Sequence, residues 1–463
     1  MKTVVLRYLL ISASIFGLGI SAVANPVSDY TTTVKQSISN SPQYKYIGFQ
    51  LNSRQMDPAI QLGRLLPSID VGGDIRATDI GGDGKSSSSG DISKAGGFRS
   101  IKGIVSLTQP LYDYGAYKDL QSAEETAQFA QQDYRTSYQQ FLYDTSYAYF
   151  NLAKAIKNVQ YNSYNLKSNK QSLNELESKY KAGVADIADY ETVKANYYIA
   201  EADYAAAKRE EKVARAELRK FTNNNDDVVL YNNDFKVKEP SPNTEEGWEE
   251  LAMRSNPAYL GSMHTKESKY YDYQSATSPF MPRVNFEVKY SPGFNDISSL
   301  GNPVFDRFLP SRGDVSAFYF GINLTWNIFS GGTNYAELKK AAYDYQSSEF
   351  DMIQTGRVAQ NDAMYAFRFV QLKQKEITSL RESVAAAKIA YEKYKERYDQ
   401  GTTTITQYFI LLNQYYQFLI QLNNTEFDYI MGFLSLYKTA GILTTKTVQD
   451  FNSWLLLNQD VEL

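Results

Sequence analysis

Very few side chains in this sequence could take part in covalent or metal chemistry. There is no cysteine and a single histidine, His264. Lacking cysteine, the chain has no disulfides, no thiolate metal site, no cysteine nucleophile and no N-terminal lipid on cysteine. His264 stands in a polar run between Met263 and Thr265 and is expected to be a solvated surface residue. Neither a catalytic triad nor a histidine-rich metal site can be built around it. No compact cluster of acid, base and nucleophile appears, so the sequence argues against an enzyme and calls for no cofactor or metal. Tyrosine is the abundant polar group, with 38 copies. Its ring and hydroxyl suit positions with one apolar and one wet side.

Two of these tyrosines sit in a repeated context. KYKAG (179–183) and RYDQG (397–401) each end a long proline-free stretch on a glycine, after which apolar periodicity resumes at once. Gly183 and Gly401 are expected to cap helices, where a left-handed backbone lets the chain reverse. The reversal is part of a larger duplication. Ser41-Pro42 matches Asn256-Pro257, Leu66-Pro67 matches Met281-Pro282, and TQPLYDYG (108–115) matches TWNIFSGG (325–332), all at nearly one offset. Matches in the same order at one offset indicate a duplicated unit.

Each unit carries two period-two stretches before its long helix. Ile69, Val71, Gly73, Ile75 and Ala77 alternate with Ser68, Asp70, Gly72, Asp74 and Arg76. Similar alternation runs through 101–108, 284–290 and 318–328. One apolar and one polar face is the pattern of a membrane barrel strand or of a half-buried sheet. Long polar loops at 78–97 and 291–305 favour the barrel, with the loop around Ser88 facing the cell exterior. The proline-free stretches between are long enough for helices of about seventy residues, roughly 105 Å. Leu152, Val159, Leu166, Leu173 and Tyr180 recur every seven residues, and Leu380, Val384, Ala387, Tyr391, Tyr394 and Tyr398 step by four and three. These are coiled-coil seams.

Residues 1–24 read as a cleaved signal peptide. Lys2 and Arg7 precede a short apolar core, and Ala22-Val23-Ala24 forms the cleavage site. The chain is therefore expected to be exported, and its acidic balance of 48 basic to 52 acidic side chains gives no case for nucleic acid. Four strands cannot close a barrel, and open edges cannot sit in lipid, so several copies must pool their strands.

In order and spacing, the NP and LP signals, the strand exits QPLYDYG and WNIFSGG, the Y-x-x-G tips and the duplication resemble the TolC family of outer-membrane efflux and secretion channels. The resemblance covers nearly the whole chain after residue 24. It implies a mainly α fold with a membrane β-barrel, built as a homotrimer of duplicated strand-hairpin and helical-hairpin units. The first repeat would be 25–222, with strands near 65–77 and 98–109 and helices near 111–182 and 186–221. An equatorial linker would follow at 223–257. The second repeat would be 258–443, with strands near 281–290 and 315–329 and helices near 332–400 and 405–440, leaving 444–463 as a C-terminal equatorial segment. The implied role is a passive exit duct in the outer membrane reaching into the periplasm. A periplasmic adaptor would dock at the tips Gly183 and Gly401, and an inner-membrane transporter of efflux or ABC type would supply the drive. A trimeric coiled-coil spacer or adhesin is the alternative. By the same resemblance the periplasmic gate maps to Tyr398, Asp189, Thr403, Gln407 and Ile410. A tyrosine–aspartate latch between Tyr398 and Asp189 is retained, whereas the arginine of the pattern is Thr403 and its two aspartates are Gln407 and Ile410.

Overall fold

The computed structural model describes residues 27–79, 97–229, 237–297 and 312–457. The expected signal peptide and the loop around Ser88 lie outside these residues. In chain order the elements are β1 (Val27–Ser28), α1 (Tyr30–Asn40), α2 (Pro42–Arg54), α3 (Asp57–Gly63), β2 (Ser68–Asp79), β3 (Gly97–Tyr112), α4 (Tyr114–Lys181) and α5 (Ile187–Thr222). After β4 (Asp227–Val228) come α6 (Glu245–Ser255), α7 (Pro257–Ser275), a short 3-10 turn, β5 (Arg283–Ile297), β6 (Arg312–Thr325), α8 (Thr333–Asp399), α9 (Ile405–Thr439) and α10 (Thr445–Leu457). The fold is mainly helical, with a four-stranded sheet at one end.

The sheet runs β2-β3-β5-β6, antiparallel throughout. Its register places the apolar positions of all four strands on one face. Val71 lies opposite Val105, Val105 opposite Tyr290, and Tyr290 opposite Phe318. One residue along, Asp74 faces Lys102 and Ser106 faces Lys289, on the other side of the sheet. Among the described residues both outer strands, β2 and β6, leave an unpaired edge.

The strands keep their expected places, but three of their C-terminal ends are shifted by three or more residues from the sequence pattern, each for a local reason. β5 continues through Pro292 to Ile297 because the ladder with β3 skips from Gly293 to Tyr290, so proline's missing N–H is not needed there. β6 stops at Thr325 because its partner begins at Arg283, directly opposite; Trp326 and Ile328, which keep the alternation, have no strand to pair with. β3 extends to Tyr112 through an irregularity at Pro110. One residue later Asp113 caps α4, its carboxylate accepting from the Ala116 N–H at 3.0 Å.

The main core lies midway along the long helices. Tyr30 and Val34 of α1, Trp248 of α6, and Phe451 and Leu455 of α10 pack against Leu142, Tyr149, Phe150 and Leu152 of α4 and against Phe433 and Leu436 of α9. Trp248 donates to the Pro242 carbonyl at 2.7 Å. A bidentate pair from Arg368 of α8 to Glu245 ties α6 to the same wall. The short helices α1, α6 and α10 therefore form a belt on the long ones.

Candidate functional site

The end of the molecule opposite the sheet is made by two helix reversals of the same construction. Gly183 and Gly401 adopt φ of +74° and +71°. At the first tip the Val184 N–H reaches the Lys179 carbonyl and the Gly183 N–H the Tyr180 carbonyl, both at 2.9 Å. At the second, Thr402 reaches Arg397 and Gly401 reaches Tyr398, again at 2.9 Å. This double bond pattern satisfies the terminal carbonyls and needs a residue that tolerates a left-handed backbone. The chain then restarts at once. Asp186 accepts from the Ala188 N–H at 2.8 Å to cap α5, and Thr404 accepts from the Gln407 N–H at 3.4 Å to cap α9.

Behind the tips the two hairpins are joined by a second apolar cluster, separate from the belt. Leu176 of α4, Val193 of α5, and Ile405, Tyr408, Phe409 and Leu412 of α9 are its buried members; Tyr398, Tyr391 and Tyr190 pack on its margin. Burial pushes the Tyr408 hydroxyl far above the ordinary phenol range, with Tyr391 and Tyr416 adding to the shift, so it stays neutral. The Lys179 ammonium lies 5.0 Å from the Tyr398 ring centroid, and Tyr180 stacks on Tyr190 at 5.2 Å. Asn413 donates to Asn196 at 3.2 Å, another tie between hairpins.

Tyr398 is thus at the joint between the hairpins, half-buried, with its ring engaged. Asp189 sits in the first turn of α5. No hydrogen bond within the chain joins the two among the described residues. Thr403 is half-buried, while Gln407 and Ile410 are exposed on the first turns of α9. Around Gly183 and Gly401 a side chain would meet nothing within 4 Å. His264 corrects its expectation: it is half-buried, and its Nδ1 lies 2.8 Å from a Glu125 carboxylate oxygen across the α7–α4 contact. The polar residues flanking it hid the fact that α7 lays this face on α4. The sequence reading also passed over the apolar cluster. Its signal was the spacing of Ile405, Tyr408, Phe409 and Leu412, three and four apart on one helical face.

The opposite end carries the other surface of interest. Among the described residues no helix is long and apolar enough to cross a membrane. The apolar face of the sheet is bare among the described residues: Val71, Ile75, Phe318 and Phe320 are all exposed. Its other face is charged, with Lys289 2.7 Å from Glu287. The model of the family described as "Outer membrane efflux protein" matches twice, over residues 33–224 and 250–441. The chain belongs to that family. As an outer membrane efflux protein it is an exit duct of the outer membrane, serving efflux or secretion. Among individual relatives, the outer membrane protein TolC of Vibrio cholerae is 22% identical over 353 residues, 76% of this chain and 79% of that one. The alkaline protease secretion protein AprF of Pseudomonas aeruginosa is 20% identical, over 76% of this chain and 72% of its own. The fold is shared with the crystal structure of the Campylobacter jejuni CmeC outer membrane channel, at a TM-score of 0.73 and 16% identity, over 97% of this chain and 98% of that chain. The two family matches coincide with the two strand-and-helix hairpin units, which share their element order.

Proposed function

We propose that three copies of the chain close a twelve-stranded barrel in the outer membrane, continued by a tube of twelve helices into the periplasm. The observation that carries this reading is the sheet itself. It has an unbroken apolar face, a charged opposite face and two unpaired edges. Open edges are excluded from lipid, and four strands are too few to close alone. Three copies joined β6 to β2 remove every edge, turn the apolar face to lipid and place Asp74, Lys102, Glu287 and Lys289 in the lumen. The trimeric coiled-coil spacer needs no such sheet.

The tips form the periplasmic gate. Tyr398, Asp189, Thr403, Gln407 and Ile410 surround its mouth, and a periplasmic adaptor docks at the reversals marked by Gly183 and Gly401. An inner-membrane transporter, of efflux or ABC type, delivers the cargo. The gate is held shut by the apolar cluster and by Lys179 on the Tyr398 ring more than by polar bonds. With amide and alkyl groups at Gln407 and Ile410, the mouth does not concentrate cations, so micromolar trivalent metal leaves it unplugged. Insertion of the purified protein into a planar bilayer tests the duct: discrete single-channel steps are expected, and a protein that inserts without conducting would refute it.

A further inference from the structure

At the level of the belt, a groove of about 610 Å³ opens between α4, α8 and α9. Its walls are aromatic: Tyr143 and Tyr147 from α4, Tyr365 and Phe369 from α8, and Phe427 from α9. Phe369 reaches the backbone of α9 at Gly432, where a Cβ would lie 2.7 Å from its ring. Glycine is what lets the ring in.

Helical periodicity decides which way the groove faces. On α4 the belt is met by Leu142, Tyr149 and Phe150; on α9 it is met by Phe433 and Leu436. Tyr147 precedes Tyr149, and Ser435 precedes Tyr437, whose ring centroid lies 6.0 Å from that of Trp248 of α6, by two residues, which is about 160° around the axis. The groove therefore lies on the side of the wall away from the belt. In the tube proposed above, with the belt outside, that side is the lumen; this step rests on that reading.

Two observations define what fits. The rings already accept ammonium groups: Lys154 lies 4.2 Å from the Phe427 centroid and Lys438 4.6 Å from that of Tyr143. Of the two carboxylates lining the groove, Asp428 is paired with Lys373 at 3.1 Å. Asp362 is exposed and makes no ion pair among the described residues, although its charge acts on Lys438, which donates to Gln140 at 2.9 Å. Tyr365 stands beside it, 63% exposed, with its ring uncovered. We propose that this groove is a contact site for drug-sized aromatic monocations, which stack on Tyr365 and Phe369 and place their charge at Asp362. The volume falls within the range of small-molecule sites. Because the groove is open and its ends are already occupied by lysines, binding is weak, and a ligand dwells and leaves.

Ethidium is a suitable probe, titrated by fluorescence against the detergent-solubilised protein, with an uncharged phenanthridine as control. Saturable ethidium binding is expected. Asp362→Asn should weaken it about two- to fivefold while leaving the neutral analogue unchanged, and Tyr365→Ala should weaken both, ethidium more because it loses a cation–π contact as well as stacking. Ethidium should also reduce the conductance of open channels, less so in Asp362→Asn. Titrations that do not saturate, or variants that bind like the parent, would overturn the proposal. A conducting channel without this binding sinks the groove alone. Asp362-dependent binding to a protein that never conducts sinks the tube and keeps the groove.

Discussion

At the scale of residues, three glycines in the same backbone state make different demands. Gly183, Gly401 and Gly441 all have φ between +71° and +76° and all end long helices. The first two point into open space, whereas a Cβ on Gly441 would collide with the Ser255 carbonyl and crowd the Asn256 backbone. Gly183→Ala and Gly401→Ala should each cost about 1–2 kcal/mol, the strain of a left-handed alanine. Gly441→Ala should cost well beyond that and abolish assembly, which yield and heat stability of the purified protein would register. All three glycines follow long apolar-periodic runs, yet the sequence does not tell the tolerant ones from the intolerant one, because Ser255 is far away along the chain. Tyr398 poses a similar problem. Its place at a tip could be read from Y-x-x-G, but its partners could not, since Lys179 and the cluster arrive from the other hairpin. Tyr398→Ala should raise resting conductance several-fold by removing the ring. Tyr398→Phe with Asp189→Ala, which keeps the ring and removes only the hydrogen-bonding groups, should raise it less. Equal leakage from both variants would return the latch to the hydroxyl and the carboxylate.

At the scale of elements, strand faces were legible and strand ends were not. Period-two alternation assigned Ile69 to Ala77 to one face, and the register with β3 keeps that face continuous. Ends depend on where a partner stops, as at Thr325 opposite Arg283, and nothing in β6 itself records that. The faces lead to a sharp contrast. Phe320→Arg puts a charge on the apolar side and should cost about 2–4 kcal/mol near mid-membrane. Asn323→Arg, on the other side, should fold normally and shift ion selectivity. Heat-modifiable gel mobility and reversal potentials would read the two effects. The helical seams were legible only in part. Tyr391 and Tyr398 do pack where the four-and-three spacing placed them. On α4 the strict heptad drifts off: Leu152 and Leu176 are buried, but between them the seam is filled by Asn165 and Asn169, bonded to each other at 2.9 Å. A seven-residue repeat read only through apolar and tyrosine positions cannot see buried amides such as these, which bond within α4.

At the scale of the whole molecule, closure is the property to test. A cysteine-free chain allows single cysteines on β2 and β6 to be paired at will. Scanning Val71 to Ile75 against Phe320 should yield disulfides only between chains, and a gel ladder that ends at three. Cross-links within one chain, or a ladder running past three, would refute the ring. The two units within each chain also differ in how strand joins helix. In the first, β3 passes into α4 across Asp113 alone. In the second, β6 and α8 are separated by residues 326–332, which end in Gly331 and Gly332 at φ of +64° and +89°. In the ring proposed above, one-residue joints would alternate with glycine joints around the circumference, so a twist at the tips would be taken up at Gly331 and Gly332 before it reached the strands.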